Sequence, residues 1–552
     1  MKRKLYRLVS IFLLLSLITA CGKSENTPDN TSKSSPNSTA TSTQAADKTA
    51  EPAKDEDKVV TIATTTAWES LCPLSRDVDT QVIFMSPVFD QWATLNTDGT
   101  ITPQLFESWV LSEDGTTLTA KINPKATFHD GVKVKASDVV FTYRLLADPE
   151  FDRTMKDYAK FIVGTDDTGM CSNFDEFGMK ALDEETVEIK VKTPTTETNF
   201  FFQFRVTLVL PEHLLKDISP SSIMTDPFWE KPVGSGPFKL DSIVSGERIE
   251  YVANDDYYLG RPDIDRLVIR VMPADNMLSA FMAGEVDITA YGSQMSIKDY
   301  ELAKNDDNFV TYEAPGFRND HILINNEKID AKVRRALDYA IDKQSIIDDL
   351  LSGYGRVAIS AIVPENPYRL EGIEGNAYNP EKAKELLKEA NWDSSKTLRL
   401  FVGATSDFAQ NAAVIVQQNL ADVGVNVNIE TYDSATLSSY YFNGEYELAI
   451  MSSASNPFEP SESSFYFQLV PNGWNRITDQ SWMDIYNKGL EGTTVEERKP
   501  AYDELQKRLV EEVPMIFLDH PDVLFVHSKR LSNIPYENVA LRSWRLWEWK
   551  VD

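Results

Sequence analysis

Three cysteines in 552 residues leave little material for a disulfide scaffold. With Cys21 set aside, only Cys72 and Cys171 remain, and they either pair or stay as two buried thiols. Histidine is scarce as well. Neither the HExxH pair of a zinc protease nor a cysteine couple at metal spacing occurs, and the nucleophile elbow GxSxG and the phosphate loop GxxxxGK[ST] are missing too. These absences exclude the commonest hydrolase and nucleotide-handling signatures. After residue 20 no apolar run reaches membrane-spanning length. Basic charge is short: 55 Lys and Arg against 85 Asp and Glu give a net charge of −30, or −34 without the four basic residues at the start. So acidic a surface repels a phosphate backbone and argues against nucleic acid as a partner.

What is present begins with Lys2, Arg3, Lys4 and Arg7 ahead of an apolar run over residues 11–20, the layout of a secretory signal peptide. Ile18-Thr19-Ala20-Cys21-Gly22 resembles the bacterial lipobox, which implies cleavage before Cys21 and a diacylglycerol on its thiol. Lipid chains on that one residue anchor a secreted chain to a membrane. Residues 21–57 then hold Ser, Thr, Asn, Pro, Ala and charge, with no aromatic and no Val, Ile or Leu after Cys21. Such a segment is a tether that holds whatever follows near the membrane without folding itself.

The remaining residues, nearly five hundred, suffice for two or three domains. Residues 117–122 and 186–191 alternate in period two and predict half-buried strands; 333–341 and 379–390 carry apolar residues at helical spacing, the second behind an Asn379-Pro380 start. From Thr397 the order is strand, helix, strand, helix, strand, which predicts an α/β lobe. Gly234-Ser235-Gly236 lacks the third glycine of a dinucleotide fingerprint and reads as a tight turn. His129-Asp130-Gly131 is a turn rather than a catalytic pair, because no nucleophile accompanies it. His321 and His520 have no spaced partner, so no metal site is expected.

Several segments taken in order resemble the family 5 solute-binding proteins, the group that includes oligopeptide, dipeptide, nickel-chelate and some oligosaccharide receptors. They run from Pro103-Gln104-Leu105-Phe106-Glu107-Ser108-Trp109, through Ala126-Thr127-Phe128-His129-Asp130-Gly131 and Gly234-Ser235-Gly236-Pro237-Phe238, to Ala283-Gly284-Glu285-Val286-Asp287-Ile288. Val333-Arg334-Arg335-Ala336-Leu337, Tyr378-Asn379-Pro380 and Val513-Pro514-Met515-Ile516 complete the series. The resemblance implies an α/β, two-lobed periplasmic-binding-protein fold of the Venus-flytrap type II kind, with an additional inserted domain. On that template lobe I takes residues 58–98, 232–320 and 523–552, the inserted domain 99–231, and lobe II 321–522. It further implies a monomeric binding protein, not an enzyme and without a cofactor, that delivers a small ligand, a peptide first of all, to the permease subunits of an ABC importer at the extracytoplasmic face of the membrane.

In peptide-binding relatives an acidic residue in an Asp-Pro segment holds the ligand's α-amino group. The corresponding segment here offers Asn456-Pro457 or Glu459-Pro460; the reading leans to Glu459, and Asn456 in that place would suit a neutral ligand such as an oligosaccharide. The other ligand-binding candidates are Trp68 and Glu69 in the first loop, Tyr291 after the 283–288 motif, Arg318 and Asn319 near the lobe crossing, and Trp474, Asn475 and Arg476. Arginine can take a carboxylate in two hydrogen bonds, and tryptophan can stack on a sugar or an apolar side chain. Two rivals stand beside the receptor: a secreted hydrolase, which lacks a visible nucleophile or carboxylate pair, and a sensing lipoprotein of the same fold.

Overall fold

The computed structural model describes residues 57–74, 78–151, 158–204, 207–460, 473–536 and 545–552. The signal peptide, Cys21 and nearly all of the tether lie outside them. Among the described residues no helix is long and apolar enough to cross a membrane.

Among the described residues three larger sheets, beside two two-stranded ones, organise the fold. The first has seven strands, in the order Phe309–Ala314, Val523–Ser528, Ile288–Thr289, Val59–Thr64, Arg266–Val271, Arg248–Ala253 and Phe238–Val244. The second has six: Gly355–Val357, Met515–Pro521, Arg318–Ile324, Leu448–Ala454, Thr397–Gly403 and Asn426–Tyr432. A four-stranded sheet lies in the range expected for the inserted domain and includes Thr117–Ile122 and Thr186–Lys190; their inward residues Leu118, Ala120, Ile122, Val187 and Ile189 are the alternating apolar positions of the sequence. The chain is α/β and two-lobed, as expected.

The second sheet shows why its strands form. Along Met515–Pro521, Met515 and Phe517 join one apolar cluster while Ile516 and Leu518 join another, and along Arg318–Ile324 Leu323 faces one cluster and Ile322 and Ile324 the other. Both faces are covered, so these strands read as continuous apolar runs. One cover is built from the helices Ala331–Ala340, Pro380–Glu389 and Asp407–Asp422, whose buried positions recur every three to four residues. Side chains start each of them: Asp330, Asn379 and Ser406 accept from backbone amides of the first turn. The strand and helix order expected from Thr397 onward is present throughout.

The shared motifs are structural. Gly236 N–H donates to the Val88 carbonyl (2.8 Å), and His129 N–H donates to the Gly234 carbonyl (2.8 Å), so two distant motif segments meet here. The His129 ring donates through Nε2 to the Gly236 carbonyl, and burial lowers its pKa to about 4, so it is a neutral packing group. A Cβ on Gly234 would lie 2.0 Å from the Val88 oxygen, and backbone cannot yield as a flexible side chain would. Gly234→Ala should therefore cost about 3 kcal/mol, the upper end for overpacking, measured as a lowered unfolding midpoint in urea; a change below about 0.5 kcal/mol would refute the close-approach argument. Arg334 of the Val333–Leu337 motif donates to the carbonyls of Val513 and Ile329 (2.9 Å each) and so ties one helix start to the end of another. Cys72 and Cys171 are both buried, and no disulfide joins them.

The chain passes between the two large sheets twice, between Ala314 and Arg318 and between Pro521 and Val523. The strand Arg318–Ile324 therefore begins inside the range expected for lobe I. The two crossings touch: a Cβ on Gly316 would sit 2.2 Å from the Pro521 oxygen.

Candidate functional site

The strands that leave the crossings, Arg318–Ile324 and Met515–Pro521, pair antiparallel, with a bulge between Asp320 and His321 and with Asp320 opposite Asp519. Both aspartates are buried. Asp320 accepts from Arg318 Nη2 (3.1 Å) and from Ser452 Oγ. Burial, then the Asp320 carboxylate, pushes Asp519 well above the usual carboxylate range, so at neutral pH the pair shares a proton. His321 and His520 flank them, each lowered to about 4 by burial and hence neutral. Among the described residues no group of three metal-ligating side chains forms.

Beside the crossings lies a cavity of about 380 Å³. Lobe I supplies Tyr291 and Met295, the crossings supply Phe317, Arg318 and Asp522, and lobe II supplies Tyr354. Two of the expected residues, Tyr291 and Arg318, thus meet in one cavity. Burial raises the pKa of Asp522, which leaves it a weaker acid than a surface aspartate. Asn319 is fully engaged below the cavity wall: its Nδ2 donates to Ser455 Oγ (3.0 Å) and its Oδ1 accepts from His321 Nδ1 (2.8 Å). Trp68 and Glu69 line neither this cavity nor the smaller one described below. The start of their loop is bound to the cavity segment by Thr65 N–H donating to Ser293 Oγ (3.0 Å), its middle is held by Gln81, and Trp68 packs on Phe84 with ring centroids 5.9 Å apart.

A second, smaller cavity of about 130 Å³ is lined by Thr195, Asn199 and Gln203, in the range expected for the inserted domain, and by Glu459, Tyr486 and Arg498, in the range expected for lobe II. Glu459 is buried and taken by Arg498 at two points, Nη1 to Oε2 at 2.6 Å and Nη2 to Oε1 at 2.7 Å, with Tyr502 OH donating at 3.0 Å. Burial works against the Arg498 charge, yet the Glu459 carboxylate outweighs it and the guanidinium is held protonated. The Glu459 charge is thereby balanced inside the protein. Asn456 shapes the same loop: its Oδ1 accepts from the amides of Phe458 (2.8 Å) and Glu459 (3.0 Å).

Trp474, Asn475 and Arg476 do not join either cavity. The Asn475 carbonyl accepts from Asn326, and its side chain donates to Pro514 (3.1 Å), at the far end of the two crossing strands. At about 3.3 Å per residue that is roughly 25 Å from Arg318. Arg476 donates to the Phe442 carbonyl beside the Gly444 helix end. Among the residues the sequence did not single out are Arg498, Asp320, Asp519, Phe317, Tyr354 and Asp522. Arg498 had a legible signal: with Ala501, Tyr502, Leu505 and Leu509 it makes the buried stripe of the helix Val495–Glu512.

Residues 100–475 match the family described as bacterial extracellular solute-binding proteins, family 5. A putative ABC transporter peptide-binding protein of Brucella ovis is 28% identical over 433 residues, 75% of this chain and 78% of the relative. The oligopeptide-binding protein AppA of Bacillus subtilis is 24% identical over 575 residues, 97% of each chain, and its structure in complex with a nonapeptide covers 90% of this chain at a TM-score of 0.71. NikZ of Campylobacter jejuni, solved in complex with Ni(L-His), also aligns at a TM-score of 0.71, with 22% identity over 90% of this chain and all of its own.

Proposed function

Because the chain belongs to the family 5 bacterial extracellular solute-binding proteins, we propose that it captures a peptide between its lobes and delivers it to an ABC importer, as a monomer tethered through lipid on Cys21 at the outer face of the membrane. The observation that carries this reading is the cavity at the crossings. A ligand there touches lobe I, lobe II and both connecting segments at once, so its binding energy depends on the angle between the lobes. Water leaves as the lobes close, which strengthens each polar contact, and no bond in the ligand has to change.

The lining supports a peptide. Tyr291, Tyr354 and Phe317 offer faces for apolar side chains, and Arg318 offers a guanidinium to a carboxylate. The peptide-binding names of the Brucella and Bacillus relatives support the same class. A chelate of a metal with an amino acid presents the same carboxylate to Arg318, and the Campylobacter neighbour with Ni(L-His) makes that the second reading.

Calorimetry on the ligand-stripped protein against a mixed peptide library, then against Ni(L-His) and cello-oligosaccharides, separates these. Saturable heat with peptides is expected; heat only with the chelate or the sugar would transfer the receptor to that ligand. Arg318→Lys keeps a positive charge near Asp320 but loses the planar fork, and should weaken peptide binding roughly tenfold. An unchanged Kd would remove Arg318 from the site.

A further inference from the structure

Phe458 lines neither cavity itself, but its surroundings touch both: Phe317, packed against its cluster, lines the one at the crossings, and the adjacent Glu459 lines the smaller one. Lobe II fixes its loop firmly: Asn366 Nδ2 donates to the Asn456 carbonyl (3.1 Å), the Asn456 side chain holds the next turn, and Arg498 grips Glu459. From that base the ring reaches across to Leu95 and Phe202 and is 8% exposed. It meets Phe202 edge to face, with centroids 6.2 Å apart and planes at 72°. Gly99 lies alongside it, where a Cβ would stand 3.6 Å from the ring, an ordinary contact. Phe317 packs against this cluster and also lines the cavity at the crossings. On the other side Gln203 and Glu459, the chain neighbours of Phe202 and Phe458, line the smaller cavity.

We infer that Phe458 is a partition: it divides the cleft between the lobes into two compartments and confines the ligand to a short peptide in the compartment at the crossings. This rests on the receptor reading above. At about 3.5 Å per extended residue, a single compartment holds roughly two or three residues of peptide, and a longer chain would have to pass through the space the ring fills. Shortening Phe458 merges the compartments. The loop keeps its hydrogen bonds and the Glu459–Arg498 pair, because these engage backbone and neighbouring side chains and not the ring.

The first test needs no ligand. A crystal structure of the full chain carrying Phe458→Ala, ligand-free, is expected to show one continuous solvent channel through both cavities. A closed, dry void bounded by Leu95 and Phe202 would overturn the partition, because the ring would then be ordinary core. The second test offers mixed-sequence peptides of roughly two to nine residues, a span set by extended length, to both proteins and identifies what each retains by mass spectrometry. The wild type is expected to retain only the shortest peptides, and Phe458→Ala to add longer ones while keeping the short. Long peptides retained by the wild type, or loss of every length alike in the variant, would overturn it. Phe458→Leu covers the case in which alanine unseats the loop, and should shift the length limit by less. If neither protein retains any peptide, the peptide reading fails, and the channel alone decides the partition.

Discussion

Replacing Arg498 with methionine is expected to lower stability by about 3–5 kcal/mol, the cost of breaking a buried ion pair by removing one partner. The change leaves the Glu459 carboxylate, 1% exposed, without its guanidinium and still accepting from Tyr502 OH. Glu459→Gln in the same chain removes the stranded charge and should restore a large part of the loss. Urea unfolding followed by both tryptophan fluorescence and circular dichroism checks this, since a two-lobed chain need not unfold in one step. A loss below about 1 kcal/mol would mean that water reaches the pair. Glu459→Gln alone also decides what the carboxylate is for. If it anchors a ligand ammonium, peptide affinity falls more than stability does; if it serves Arg498, stability falls and the affinity of the folded protein holds.

The second large effect is a pH dependence centred on Asp90. This carboxyl is fully buried and accepts from Gln104 Nε2 and Tyr257 OH (2.9 Å each) on one oxygen. Burial raises its pKa to about 7, against the hydrogen bonds that work to lower it. In the unfolded chain it titrates near 4. Between those values the folded protein binds a proton that the unfolded chain has lost, so stability falls as pH rises from about 4 to about 7 and is flat beyond, as far as this group is concerned. At about 1.4 kcal/mol per unit, the whole fall is on the order of 4 kcal/mol. Asp90→Asn keeps the accepting oxygen and never ionises. It should match the wild type near pH 4 and exceed it at pH 8. Melting curves across that range decide it, and a constant gap between the two proteins would place the pH dependence elsewhere. Asp519, raised in the same direction, extends the wild-type decline to higher pH in both proteins and cancels from the comparison.

Much of the fold was legible because it is local. Residues 333–341 and 379–390 announce their helices by apolar spacing, Asn379-Pro380 marks a start, and the alternation from Thr397 orders the second lobe; the helices Ala331–Ala340 and Pro380–Glu389 lie where the pattern puts them. The site was less legible because pairing across the sheet decides it. Arg318 and Tyr291 were picked out through the family resemblance, one near the lobe crossing and one after the 283–288 motif, and both line the cavity at the crossings. That Glu459 faces Arg498 depends on how a loop packs on a helix 39 residues on, and no spacing rule spans that distance. Trp474, Asn475 and Arg476 were chosen for their chemistry, but the strand direction carries them to the opposite end of the lobe. Asp320 and Asp519 sit almost two hundred residues apart and become neighbours only through strand register.

The contact of the two crossings at Gly316 and Pro521 has a mechanical consequence. Two connecting segments pressed side by side resist shear and twist together, while bending about the line through both meets little resistance. A closure of the lobes about that line would run like a door on two pins, and what the cavity holds would set a single number, the angle at which the door stops. An importer docking on both lobes would read that angle as a gauge of fit, and a bulky residue at 316 would wedge the door without touching any ligand.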